Sequence, residues 1–273
     1  GNYTEYMKKR TADFEARMAQ LKQTFTPPLL AEIAEQAAAT ERLAGTPNPP
    51  EALALLPQLS VKDLPDRPDH IPTSVETLAG NVTLLRNDVF ANGVNYLQLD
   101  INLLGLPAEL WPYLPRYIEA FMKMGVEGMN YEEAARQVAA TTGGLSCAPL
   151  LLTRADTTAP VWGLRVGMKA LDDTFDPALD ILRRLIFSVD PRDTERLRDV
   201  IVQSRAHYST SLVQNGSHTA GTHAGRGFSP EGHLQEQMNG LPQMALINAL
   251  AGDFDESHEA LMAKIEAVRD FLR

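Results

Sequence analysis

Seven prolines fall within residues 47–72, at positions 47, 49, 50, 57, 65, 68 and 72, and no other feature constrains the fold as much. Each proline lacks an amide donor and fixes φ, so neither a continuous helix nor a central strand can run through this stretch. The chain is therefore read in three parts: a helical segment at 1–45, an extended connector at 46–73 and a main domain at 74–273.

The first part reads as a helical hairpin. Phe14, Met18, Leu21 and Phe25 recur every three or four residues on one helix face. Thr26-Pro27-Pro28 then supplies an N-cap and a proline at the first helical position, and Gly45 stands where that second helix should stop. The apolar stripes are thin, so such a pair needs a partner surface.

In the main domain, residues 81–90 and 94–104 read as strands joined at Asn92-Gly93, a favoured hairpin turn pair. Leu97, Leu99, Ile101 and Leu103 alternate with polar residues, which gives one buried and one wet face. A helix is expected from Pro107 to Met124. Asn130-x-x-Glu133 reads as a capping box opening another, which ends at Gly143-Gly144. Strands follow at 145–153 and 160–170, where Trp162, Leu164, Val166 and Met168 alternate with Gly163, Arg165, Gly167 and Lys169. After residue 175 the pattern is helical. Strands come first and helices last, so the fold class is α+β, an antiparallel or mixed sheet covered by helices.

Composition excludes several functions. The 273 residues carry 35 acidic and 25 basic side chains, a net charge of −10, so a non-specific grip on nucleic acid is not expected. One cysteine, Cys147, excludes an intrachain disulfide framework and a multi-thiolate zinc site. The longest apolar run is far too short to cross a membrane. The chain starts at Gly1 and ends within a helical pattern, from which a piece of a longer protein is expected.

Candidate chemistry is sparse. His218, His223 and His233 lie close enough in sequence to suggest a metal site of their own. The spacing of the first two misses the i, i+4 pair of one helix face, and Gly216, Gly221, Gly225 and Gly227 argue for a glycine-rich connection instead of a helix. The string from His233 to Gln237 differs from the zinc-peptidase motif His-x-x-Glu-His in its last ligand, where an amide coordinates zinc poorly, and reads as a helix surface. No phosphate-binding glycine loop is present. Cys147 reads as a buried structural thiol and Asp253, Asp255 and Glu256 as carboxylates at a helix start.

Several strings in order along the chain nevertheless resemble the presequence-protease branch of the pitrilysin and insulin-degrading-enzyme metallopeptidases. They are Thr141-Thr142-Gly143-Gly144-Leu145-Ser146, Val202-Gln203-Ser204-Arg205-Ala206, Gly216-Ser217-His218, Gly227-Phe228-Ser229-Pro230 and Glu236-Gln237-Met238-Asn239-Gly240-Leu241. Leu59-Ser60-Val61-x-Asp63-Leu64 before Ile71-Pro72 and the helical segment ahead of it are also similar.

The resemblance implies four related α+β domains closing in two halves over a peptide chamber. This chain would be the helical linker plus the third, non-catalytic domain. It places Arg116 and Ala120 where the zinc-binding histidines of the catalytic domain stand, and Glu119 where its base stands. A guanidinium and a methyl cannot replace two imidazoles, so no cofactor is expected in this chain, and zinc only in the parent protein. There, a zinc-bound water would attack a peptide carbonyl. The partners implied are the catalytic and C-terminal domains of the same parent and an unfolded peptide substrate, with neither nucleic acid nor membrane. The location implied is the cytoplasm or an organelle matrix. The alternative is an inactive scaffold subunit of a two-chain metallopeptidase-like complex.

Overall fold

The computed structural model describes residues 3–65, 67, 70–156 and 158–273, with the backbone alone for 3–10 and 13. It divides into two compact units, Gly1–Asn87 and Asp88–Arg273.

The first unit holds α1 (Tyr3–Gln23), α2 (Pro27–Gly45) and α3 (Pro50–Ala54). Thr26 caps α2, its side chain accepting from the Leu29 amide, and Gly45 is the last residue of that helix, as its sequence predicts. The connector is not extended throughout, because α3 starts on Pro50, where a missing amide costs nothing. Ser60 and Asp63 form a capping box around a single 3₁₀ turn. Strands β1 (Thr73–Leu78) and β2 (Val82–Asn87) then form an antiparallel hairpin. This corrects the expected pairing of 81–90 with 94–104. The tight turn is at Gly80 and Asn81, both left-handed (φ 75° and 62°), which matches the twist of paired strands. Asn92 and Gly93 also adopt positive φ but do not join two paired strands. None of the described side chains of this unit is buried.

The second unit contains the core. It begins with β3 (Val94–Asn102), followed by a 3₁₀ segment and α4 (Leu114–Lys123). The single helix expected from Pro107 is broken because Pro112 and Pro115 each remove a helical amide donor. Next come β4 (Gly125–Val126), α5 (Tyr131–Thr141), β5 (Gly144–Thr153) and β6 (Pro160–Leu171). The Asn130 capping box is present, with Glu133 N–H donating to Asn130 Oδ1 at 2.9 Å and Asn130 N–H to Glu133 Oε2 at 3.1 Å. A Cβ on Gly125 would collide with the Met129 carbonyl, so the return from β4 into α5 needs glycine there. The chain finishes with α6 (Phe175–Phe187), β7 (Val189–Asp190), α7 (Thr194–Gln214), α8 (Gly216–Gly225), α9 (Pro230–Asn239), α10 (Leu241–Gly252) and α11 (Phe254–Phe271).

The fold class is α+β. Strands β3, β6 and β5 make one antiparallel sheet in that order, and β4 pairs with β7. On β6, Leu164, Val166, Met168 and Ala170 are buried and face the core, with Leu97, Leu99 and Ile101 of β3 in register beside them. The other face carries Asp100, Arg165 and Lys169. The helices supply the remaining core, including Tyr117, Phe121, Ile181, Leu197, Ile201 and Met238, all essentially inaccessible. Trp111 and Trp162 meet edge to face with centroids 5.8 Å apart, the geometry favoured by ring quadrupoles. No described helix is long and apolar enough to cross a membrane.

Candidate functional site

Helix α4 packs Leu114, Tyr117 and Phe121 into the core, which fixes the rotation of the helix and turns Arg116 and Glu119 toward α7. Tyr117 donates its hydroxyl to the Ile186 carbonyl at 2.7 Å, and burial raises its ionisation far above the usual phenol range. Helix α7 is started by Asp193, whose carboxylate accepts from the Arg196 amide at 3.0 Å. Its Leu197, Val200 and Ile201 are buried, and the same stripe ends at Ser204 and Tyr208.

Where these two helices meet, Arg116 is 2% exposed. Its Nη1 stands 2.8 Å from Glu119 Oε2, but off the axis of a directed hydrogen bond, and its Nε has no hydrogen-bond partner among the described residues. The second Glu119 oxygen accepts from the Ser204 hydroxyl. The guanidinium carbon lies 6.0 Å from the centre of the Tyr208 ring. Burial raises the Tyr208 phenol, with the Arg116 charge acting the other way, so the hydroxyl remains a donor and reaches the Met238 carbonyl at 3.3 Å. Arg116, Glu119 and Ala120 are thus an ion-paired guanidinium, its carboxylate partner and a buried methyl. This donor set does not fit a zinc ion. It offers one carboxylate, already engaged, and a fixed positive charge.

The ion pair floors a cleft of about 530 Å³. Its walls come from α4, α7, α8, α9 and the start of α10, with Pro149 of β5. Gln243, fully buried, donates to the carbonyls of Pro112 (2.8 Å) and Gln237 (3.2 Å) and holds α10 in place.

The three histidines are not brought together as ligands. Residues 216–225 form helix α8, which corrects the glycine-rich connection expected there. A Cβ on Gly216, Gly221 or Gly225 would meet nothing within 4 Å, so the glycines weaken the helix without being required by packing. His218 and His223 are five residues apart, about 140° around a helix. His218 lines the cleft, whereas His223 Nδ1 bonds to Glu236 Oε1 at 2.8 Å, and His233 lies on α9 outside the cleft lining. Among the described residues no group of three or more His, Cys, Asp or Glu side chains stands close enough to hold a metal.

Glu236 is a second correction. The string from His233 to Gln237 does not read out as a helix surface, because Glu236 is 2% exposed. Its Oε2 has no hydrogen-bond partner among the described residues and lies against Gly240. Sequence reasoning missed this carboxylate as a buried group. The available signal was its place at the head of the string that ends in Gly240-Leu241. Cys147 packs against the core, and burial pushes its thiol up to about 12, so it stays protonated.

Residues 3–250 match the family model described as Peptidase M-16C associated. The chain is 29% identical over 241 residues to presequence protease 1, chloroplastic/mitochondrial, of Arabidopsis thaliana, an alignment covering 87% of this chain and 22% of that protein. It is 31% identical over 206 residues to the mitochondrial presequence protease of Xenopus tropicalis, covering 74% of this chain and 20% of the relative. It is 22% identical over 267 residues to protein HypA of Clostridium perfringens, covering 97% and 27%. The chain therefore spans no more than about a quarter of the length of these curated relatives.

Proposed function

We propose, from the premise that this chain belongs to the Peptidase M-16C associated family and to its presequence-protease branch, that it is a non-catalytic part of a metalloendopeptidase that degrades unstructured targeting peptides. Its second unit forms part of the wall of the peptide chamber, and residues 3–72 link the two halves of the parent protein. The observation that carries this reading is the Arg116–Glu119 ion pair. In His-x-x-Glu-His peptidases the two imidazoles hold zinc and the glutamate is the base. A helix presenting Arg116, Glu119 and Ala120 instead holds no metal and generates no nucleophile, so no step of the hydrolysis runs through this chain.

The linker role is supported by exposed apolar side chains in the first unit. Leu55, Leu59 and Val61 are 84%, 83% and 85% exposed, a pattern of surface that is ordinarily covered in an assembled protein. The partners are the catalytic and C-terminal domains of the parent, with an unfolded peptide as substrate and zinc held by the catalytic domain. The cytoplasm or an organelle matrix is the setting, since relatives carry mitochondrial and chloroplastic names.

The test is cleavage of a fluorogenic peptide by the purified chain, with and without added zinc, alone and mixed with the catalytic half of a relative. The chain alone is expected to be silent, and the mixture more active than the catalytic half by itself. Chelator-sensitive cleavage by the chain alone would overturn the reading.

A further inference from the structure

We infer that α8 is a detachable wall of the cleft, which unfolds and lifts away while α7, α9 and α10 stay packed, and that one clasp, His223 on Glu236, holds it closed. The inference concerns the second unit by itself and does not depend on the peptidase reading.

The composition of α8 makes it easy to unfold. It has ten residues, three of them glycine, and so short a helix with so many weak helix formers does not persist without tertiary contacts. Packing does not call for these glycines, because a Cβ on Gly216, Gly221 or Gly225, or on Gly227 just beyond, would meet nothing within 4 Å. Turn geometry does not call for them either, since none adopts positive φ. What they supply is freedom of the backbone. No side chain caps the N-terminal end of the helix.

Its neighbours are anchored and it is not. Leu197 and Ile201 of α7, Leu234 and Met238 of α9 and Ile247 of α10 are buried, whereas no residue of α8 is. Among the described residues, the only side-chain hydrogen bond that leaves α8 for another helix is His223 Nδ1 to Glu236 Oε1 at 2.8 Å. The Thr219 and Thr222 hydroxyls donate only to carbonyls one turn back, those of Asn215 and His218. At the last turn, the Gly225 carbonyl lies against Gly232 of α9, where a Cβ would stand 2.7 Å from it. The clasp and this close approach both sit near the C-terminal end. The first turn, which brings His218 and Thr219 into the cleft lining, has no comparable tie.

The rest of the cleft does not depend on α8. Tyr208 donates to the Met238 carbonyl and joins α7 to α9 directly, and Gln243 holds α10. The clasp itself is weakened by its own chemistry, because Glu236 is held buried with Oε2 unpartnered among the described residues, a cost that offsets part of the His223 bond. Opening therefore removes one wall, with His218 and Thr219, and leaves the Arg116–Glu119 floor in place. Elements that gate a cleft are drawn from the least stable part of a fold, and in this unit α8 fits that description.

The experiment is native-state hydrogen exchange of the full chain, read by mass spectrometry over a series of low urea concentrations. The α8 amides are expected to exchange far faster than those of residues 197–204 in α7, through an opening that urea hardly changes because it exposes little surface. A paired variant, Gly221→Ala with Gly225→Ala, has room for both methyls and should slow α8 exchange about tenfold through helix propensity. His223→Leu, which removes the clasp, should speed it by a comparable factor. Equal protection and equal urea dependence in α8 and α7 would overturn the inference, because α8 would then open only with the whole unit. Exchange in α8 that the alanine pair leaves unchanged would overturn it too, as the helix would not be what opens, and exchange indifferent to the loss of His223 would overturn the clasp.

Discussion

Two inward-facing glutamates stand on α4 and α9, helices that line one cleft of the second unit, and their partners differ in a way that separates a fixed charge from a conditional one. Glu119 on α4 faces a guanidinium that is never deprotonated, and its other oxygen accepts a serine hydroxyl. Glu236 on α9 is more deeply buried, yet the only hydrogen-bonding partner of its carboxylate among the described residues is the His223 imidazole, itself 44% exposed, and one oxygen is left over. An imidazole carries charge only when protonated. The Arg116–Glu119 pair is thus an internal ion pair whose cation is fixed. The His223–Glu236 pair is a clasp between two cleft helices.

The comparison breaks first at Arg116. Taking away one member of a largely buried ion pair strands the other charge, which costs about 3 kcal/mol. Arg116→Met and Glu119→Gln should each lower stability by roughly that amount in urea unfolding. The double variant should lose clearly less than the sum, because neither charge is then unpaired. Additive losses would show that the two groups are not coupled and that Ser204 alone carries Glu119.

The pair also shows where sequence ran out. Strands β3 and β6 were legible because their period-two alternation coincides with a sheet buried on one face, and the Asn130 capping box was legible because it is wholly local. Arg116 and Glu119 could be singled out only through the resemblance. Their third partner, Ser204, lies 85 residues from Glu119, and no local signal connects positions so far apart. The hairpin at 81–90 was misplaced because Asn92-Gly93 and Gly80-Asn81 are both competent left-handed turns, and only strand pairing decides between them. Helix α8 was missed because glycine propensity argues against it, while the bond from His223 to a glutamate thirteen residues on argues for it. That contact belongs to tertiary structure.

The next effect belongs to Gly240. A Cβ there would collide with the Glu236 carboxylate and stand 2.8 Å from the Glu236 carbonyl oxygen. Gly240→Ala should therefore cost about 2 kcal/mol by overpacking, read as a lowered thermal midpoint. A neutral outcome would mean that Glu236 can swing away and that the α9 site is looser than its burial implies.

A smaller loss is expected at the other end of the clasp. His223→Leu leaves the Glu236 carboxylate without its hydrogen bond, a penalty of roughly 1–2 kcal/mol, since a buried acceptor goes unsatisfied while water can reach the vacated, half-open side. Hydrogen exchange should show α8 opening first, because that helix has no buried residue to hold it. Uniform destabilisation without faster exchange in α8 would remove the distinction between clasp and core pair.

The smallest effect calibrates both, because it repeats the chemistry of Arg116 and Glu119 at the surface. Arg165 on β6 donates two hydrogen bonds of 2.7 Å to Asp100 across the register from β3, with each side chain about 40% exposed. Those bonds hold the Asp100 carboxyl below the usual carboxylate range, against the opposing effect of burial. A carboxyl lowered by folding contributes stability that is complete above its unfolded pKa and disappears as pH falls through the folded value. Solvent screening keeps the contribution to about 0.5 kcal/mol. Asp100→Asn should accordingly be less stable than wild type by that amount at neutral pH, and the two should converge in acid and at high salt. A gap at neutral pH as large as that of Glu119→Gln would show that geometry, and not burial, sets the strength of these pairs.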